Sequence, residues 1–318
     1  MSIRVIKKGI LDTIQDGGRF GYQHLGIHPS GAMDTVAMRM ANAFTGNNSY
    51  EPVLEIHFPA PVLLFEHDTW IAISGADFDA RCNRDHFLPI NRCIAIKAGT
   101  VLSFQQRIYG ARAYIAIRGG FHIPFWLNSA ATPIGFTSVG TVLQHDMILP
   151  FKHKTVEVKE NKIFPWTVST PIHDQNAVIR YTAGYEIDRL NSRMQELLHL
   201  HSFTIDKSSN RMGYRLQGPS LIPESNTEIL STAVTRGTIQ LLPNGQLIIL
   251  MADHQTTGGY PRIGHIIAAD FPQLAQRNAG ESFQLKQVSL QEAHKALQEQ
   301  ELHLKQLETG CKLRMGDV

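Results

Sequence analysis

Short apolar runs closed by turn residues recur along the whole chain, and no other feature limits its possible folds so strongly. The runs are "IRVIKKG", "PVLLFEH", "WIAISGA", "CIAIKAG", "TVLSFQ", "AYIAIRGG", "NAVIRYTAG", "SFTIDKSS", "GTIQLLP" and "QLIILMAD". They are rich in Val, Ile and aromatics, with Gly, Pro, Asn or Asp near most ends, which is the pattern of strands in antiparallel barrels or sandwiches. The chain reads as mainly β. At 318 residues it is about twice the usual single-domain length, so two medium units or one large one are expected, with core enough to fold without staples.

Helical spacing is rarer. "MDTVAMRMANAFTGN" sets Val36, Met40 and Phe44 four apart, with Asp34 as cap and Gly46 as stop, and predicts a helix over 35–45. "EIDRLNSRMQELLHL" places Ile187, Leu190, Met194, Leu197 and Leu198 on one face of a second helix. A third opens with the capping-box pair Ser289 and Glu292 and carries Leu290, Ala293, Leu297, Leu304 and Leu307. Packing of that amphipathic C-terminal helix against its own barrel is expected. Charge rises and the β pattern fades in "FKHKTVEVKENKIFPWTVSTP" before a fresh strand from Asn176, giving two mainly β domains of comparable size, 1–165 and 166–318, the second with the terminal helix. A weak echo accompanies this division: "TIQ" occurs at Thr13–Gln15 and again at Thr238–Gln240.

Bulk composition excludes several function classes. Thirty basic against 28 acidic side chains create no large field, and no Lys/Arg stripe points to nucleic acid. Cys82, Cys93 and Cys311 are too few and too scattered for a disulfide framework or a zinc knuckle. The N-terminus has no apolar signal core, and the run Leu247–Ala252 is far too short to span a bilayer. A soluble, cytoplasmic protein is expected.

Two segments are too polar for plain turns. "DTIQDGGRFGYQHLGIHPSGAMD", Asp12 to Asp34, combines Gln15, Asp16 and Arg19 with a Gly17–Gly18 pair that allows close backbone approach. "DHQTTGGYP", Asp253 to Pro261, crowds Asp253, His254, Gln255, Thr256, Thr257 and Tyr260 around Gly258 and Gly259, whose N–H groups suit an anion. Arg211, in "SSNRMGYRLQG" with Arg215 four residues on, is a further candidate clamp for a carboxylate. Common alternatives are missing: there is no P-loop, Rossmann glycine pattern, HExxH, GxSxG or SxxK, and "HLH" at His199 and His201 diverges on a helix. A resident metal is not expected.

Taken together, "GILDTIQDGGRFGYQHLGIHPSGAMD", "ANAFTGN", "AYIAIRGG", "SSNRMGYRLQG", "GTIQ" and "DHQTTGGYPRIG" with the following "LAQ" resemble the biotin-dependent carboxyltransferase or allophanate hydrolase subunit 2 (KipA) family, over almost the whole chain. The resemblance implies two cyclophilin-like β-barrel domains. It implies work inside an ATP-dependent 5-oxoprolinase complex as its C subunit, with a KipI-like B subunit, plus an A subunit. That complex would open 5-oxoproline to L-glutamate while ATP becomes ADP and phosphate, and the chain alone would be inactive. Two alternatives come with the family: a regulator antagonising a KipI-like kinase inhibitor, and a carboxyltransferase component of urea metabolism. Expected roles are Arg19 and Arg211 as anion clamps, with Gln15 and Asp16 in the same set. Thr256, Thr257 and the Gly258–Gly259 amides would be oxyanion or phosphate donors near Gln255 and Tyr260, and Asp253 or His254 a proton carrier. Two stretches depart from the family pattern: "LNSAAT" puts Ala130 where an arginine is usual, and "GTVLQHD" puts Thr141 and His145 where an arginine and a glycine are usual. Covalent biotin on this chain is not expected, because "AIKAG" around Lys97 lacks the flanking methionines of a carrier hairpin.

Overall fold

The computed structural model describes residues 1–134, 139–152, 157–167, 178–222 and 229–316. The chain forms two compact units that interleave along the sequence. Unit 1 takes Met1–Arg19, Asp34–Pro171 and Leu302–Val318; unit 2 takes Phe20–Met33 and Ile172–Glu301. Besides the change of unit after Pro171, a short inner segment belongs to unit 2 and the C-terminal tail to unit 1. Asn176, where a fresh strand was expected, lies outside the described residues, and the strand is described from Val178.

Unit 1 holds two six-stranded sheets. The first runs, edge to edge, Ile148–Pro150, Ser2–Lys7, Val62–Phe65, Val101–Phe104, Ala80–Cys82, His86–Phe87. The second runs Lys162–Ile163, Cys93–Ile96, Thr69–Asp77, Tyr109–Ile117, Val53–Ile56, Thr13–Gln15. Side chains alternate across a strand, and the two faces have different partners here. Ile71, Ile73, Ile94 and Ile96 join Ile3, Val5, Leu63 and Phe65 of the first sheet in one core. Trp70, Ala72, Cys93 and Ala95, one residue out of phase, point the other way and are covered by helices. One cover is α1 (Thr35–Thr45), which matches the expected span. Asp34 Oδ1 accepts from the Ala37 N–H at 2.9 Å to start it, and Gly46, at φ 74°, ends it.

Unit 2 is a closed barrel of seven strands: Val178–Ala183, Arg262–Ile266, Thr238–Leu241, Leu247–Leu250, Gly213–Gln217, Ser202–Ile205 and Ser282–Gln287. The closing pair, Val178–Ala183 with Ser282–Gln287, is parallel, while the other barrel pairs are antiparallel. Ile179, Tyr181, Phe203, Ile239, Leu247, Ile249 and Phe283 fill the interior. Every run read as a strand from sequence contains one. The helix expected around 186–200 is shorter than its apolar spacing suggested. A 3-10 turn, Ile187–Arg189, comes first; Leu190 is extended; α2 (Ser192–Leu200) then begins under a cap from Asn191, whose Oδ1 accepts from the Met194 N–H at 3.0 Å. A short α3 spans Phe271–Ala275.

Helix α4, Leu290–Gly316, is longer than its apolar stripe. Its capping box is formed, with Ser289 N–H donating to Glu292 at 2.8 Å and Glu292 N–H donating back to Ser289 Oγ at 3.2 Å. Leu290 and Leu297 are exposed, whereas Leu304, Leu307 and Cys311 are buried. The expected packing against the C-terminal barrel is corrected accordingly. The buried part meets Met40, Ala43, Phe44 and Ala72 of unit 1, because that outer sheet face and α1 offer an apolar surface otherwise open to water. Arg39 and Glu308, 3.0 Å apart, fix the helix at this place. Among the described residues, no helix is long and apolar enough to cross a membrane.

Candidate functional site

The two "TIQ" strands are built alike, one in each unit. In Thr13–Gln15, Ile14 enters the core, so Thr13 and Gln15 must face the other way. Gln15 is nevertheless fully buried. Its Nε2 donates to Thr13 Oγ1 at 3.0 Å and to the Thr132 carbonyl at 2.9 Å, while Oε1 has no hydrogen-bond partner among the described residues. Next to it, Asp16 accepts from the Gly18 N–H, from Ser129 Oγ and from the Ala130 N–H, all within 2.8 Å. Arg19 donates to the Ala131 carbonyl at 2.6 Å and stacks its guanidinium 4.9 Å from the Trp126 ring centre. These contacts hold the segment around "LNSAAT" down on the strand. Ala130 therefore contributes a backbone N–H to Asp16, where an arginine is usual. Thr141 gives its N–H to Thr132 Oγ1 at 2.8 Å and takes the Ile14 N–H on its carbonyl at 3.0 Å. His145 is exposed, with Nδ1 2.7 Å from the Ile6 carbonyl.

Asp12, two residues before Ile14, is buried. Loss of solvation lifts its carboxyl from 3.8 to about 6, opposed by the Gly9 N–H, which donates to Oδ2 at 2.6 Å, and by the backbone of His57.

In unit 2, Ile239 and Leu241 of the strand Thr238–Leu241 face the barrel interior, which turns Gln240 outward. The loop from Asp253 covers it, so Gln240 is also buried. Its Oε1 accepts from Gln255 Nε2 at 3.4 Å and its Nε2 has no hydrogen-bond partner among the described residues. Gly258 makes the fit possible, since a Cβ there would lie 2.5 Å from Gln240 Nε2. Thr257–Gly258 form a two-residue ribbon with Thr232–Ala233, which leaves Thr257 exposed. Thr256 takes the Val234 N–H on its carbonyl at 3.1 Å. Gly259 sits beside the Ile229 carbonyl, 3.2 Å from where its Cβ would be.

Asp253 and Arg211 meet in a buried two-point pair, Nε to Oδ2 at 2.9 Å and Nη2 to Oδ1 at 3.1 Å, and Arg211 Nη2 also donates to the Gly31 carbonyl at 2.6 Å. Arg236 donates to the carbonyls of Ala32 and Met33. The part of the first polar segment that belongs to unit 2 is thus tied to the second through arginines. His254 is buried; loss of solvation lowers its pKa, and His28 and Arg236 push the same way. Its Nδ1 lies 2.6 Å from the Gln255 carbonyl, so that nitrogen carries the proton and Nε2 keeps the lone pair.

A cavity of about 430 Å³ opens beside this loop. Gln240, Gln255, Tyr260, Arg215, Asn210 and Ser208 are among its polar lining, and Met212, Leu242, Pro243 and Ile248 among its apolar lining. Of the residues singled out from sequence, the structure brings Gln255 and Tyr260 into the cavity wall and puts Arg211, Asp253 and His254 in the buried support behind the loop. Gln15, Asp16 and Arg19 cluster within unit 1. Gln240 was not singled out, although its place in the repeated "TIQ" was the available signal. Among the described residues, no group of three or more His, Cys, Asp or Glu is arranged to hold a metal ion.

Comparison with known proteins adds three facts. Residues 25–287 match the family model described as carboxyltransferase domain, subdomain A and B. The C subunit of 5-oxoprolinase from Escherichia coli (strain K12) is 36% identical over 96% of this chain and 97% of its own length; that of Haemophilus influenzae is 35% identical over 93% and 94%. Among solved structures, the K. lactis urea amidolyase superposes with a TM-score of 0.85 at 26% identity, over 96% of this chain but 20% of its own.

Proposed function

The chain belongs to the carboxyltransferase domain family, subdomain A and B, and from that premise we propose that it serves as the C subunit of an ATP-dependent 5-oxoprolinase. The observation that carries this reading is similarity over whole chains: 36% identity over 96% of this chain and 97% of the E. coli 5-oxoprolinase C subunit, against a match to only 20% of the urea amidolyase chain.

A lactam resists water because nitrogen donates into its carbonyl. Transfer of the ATP γ-phosphoryl group to the carbonyl oxygen removes that resistance, and attack of water at the carbon then opens the ring to glutamate with release of phosphate. ATP and the phosphoryl-transfer machinery enter through two partner chains, the KipI-like B component and the A component, in the cytoplasm and without biotin on this chain. The contribution of this chain is to bind and orient. The amides and phenol around the cavity supply donors for the substrate carbonyl.

The test is coexpression with both partner chains, followed by an assay of 5-oxoproline-dependent ADP and glutamate release. Turnover is expected from the three-part assembly and not from the chain alone. A correctly assembled complex without turnover overturns the reading and favours a regulatory role instead.

A further inference from the structure

The cavity beside Gln240 has a chemical bias. Its polar wall holds several N–H and O–H donors: the amides of Gln240, Gln255 and Asn210, the Tyr260 phenol and the Arg215 guanidinium. Among the described lining residues there is no carboxylate, and Arg215 is the one cation. Asn210 already uses its side-chain oxygen to accept the Met212 N–H at 2.8 Å, which leaves its NH2 as the group on offer. An acceptor-rich, anionic guest suits these donors.

Gln240 makes the cavity a built site. The side chain is 1% exposed, yet Nε2 has no partner among the described residues. A buried donor without a partner costs about 1–3 kcal/mol, so folds retain few of them. The chain also keeps a glycine at 258, where any side chain would press on that nitrogen. Ile248 lies between Gln240 and Arg215 in the register of neighbouring strands, and with Met212, Leu242 and Pro243 it gives apolar lining suited to methylene groups. The volume falls within the range of about 300–1,000 Å³ usual for small-molecule sites.

We infer that this cavity binds a small cyclic amide bearing a carboxylate, with Gln240 Nε2 donating to the amide carbonyl, Arg215 facing the carboxylate and the ring methylenes against Met212 and Ile248. Within the proposed function, on which this assignment rests, that ligand is 5-oxoproline, and Gln240 and Arg215 are its binding residues. The fully buried Gln240 would set the position of the carbonyl that has to be activated.

The experiment titrates the full-length chain with 5-oxoproline, 2-pyrrolidinone and proline by calorimetry, for the wild type, Gln240→Met and Arg215→Ala. Gln240→Met keeps the bulk and removes the donor; Arg215→Ala changes an exposed side chain and keeps the test usable if the first variant folds poorly. 5-Oxoproline is expected to bind the wild type, with a loss of about tenfold or more in each variant. 2-Pyrrolidinone, without a carboxylate, should bind more weakly and lose its dependence on Arg215; proline, without the carbonyl, should lose its dependence on Gln240. The assignment falls if the wild type shows no binding up to about 10 mM, or if both variants bind 5-oxoproline as the wild type does. Turnover by the assembled complex with KM unchanged in both variants sinks the cavity and leaves the function standing. Gln240-dependent binding without turnover sinks the function and leaves the cavity standing.

Discussion

Arg211 and Asp253 show how burial reassigns residues whose chemistry alone marks them as functional. Each satisfies the other across two hydrogen bonds, out of water. Removing one partner leaves a buried charge uncompensated, so Asp253→Asn should cost about 3–5 kcal/mol in urea unfolding, and a neutral pair at both positions should recover part of that loss. A loss of activity with unchanged stability would instead place Asp253 in the chemistry. Asp12 has a different signature. Folded, it keeps its proton up to about pH 6; unfolded, it loses it near 3.8. Between those values the folded state binds more protons, so stability falls as pH rises through the window. Asp12→Asn should match the wild type near about pH 4 and exceed it by about 3 kcal/mol above pH 7; parity at both pH values would refute the raised pKa. The site was partly legible at this scale. "DHQTTGGYP" stood out by polarity, but composition cannot separate a polar group facing a cavity, such as Gln255, from one locked behind it, such as Asp253. That distinction depends on Arg211, distant in sequence.

At the scale of elements, strands were the most legible part, because period-two alternation is written locally and both faces of the central strands are apolar here. Thr69–Asp77 is the clearest case, with Ile71 and Ile73 in one core and Trp70 and Ala72 in others. Helix ends were legible where a cap sat beside the periodic run, as at Asp34, and misread where an internal cap competed, as at Asn191. What α4 packs against was not legible, since an amphipathic stripe says that a face is buried and not by what. The structure divides that stripe into exposed Leu297 and buried Leu304. Leu304→Ala should therefore cost about 2–5 kcal/mol through the cavity left among Met40, Phe44 and Leu307, and Leu297→Ala under about 1 kcal/mol. Equal effects in denaturant melts would show that α4 does not make these contacts in solution.

For the whole molecule, the chain changes unit between Arg19 and Phe20, between Met33 and Asp34, near residue 171, and between Glu301 and Leu302. A cut near residue 171 consequently does not release a complete unit 1. It strands Phe20–Met33 from their own unit and removes Leu302–Val318, the tail that covers Met40, Ala43 and Phe44 and places Met315 beside Trp70 and Cys93. An apolar face uncovered in this way is a liability for association. The fragment 1–171 should retain its β signature in far-ultraviolet circular dichroism, bind a hydrophobic dye and aggregate, because its central core between the sheets remains while the outer cover is gone. A peptide spanning 290–318, supplied in trans, should suppress dye binding, and the same peptide with Leu304 and Leu307 changed to Ala should not. The tail acts through packing and through the Arg39–Glu308 pair, whose carboxylate also accepts from Ser49 Oγ. High salt should weaken the rescue only slightly, since apolar burial and not charge supplies most of the affinity. A monomeric, dye-silent 1–171 fragment would show that the C-terminal helix is dispensable to unit 1, and the interleaved division would then describe geometry without energetic weight.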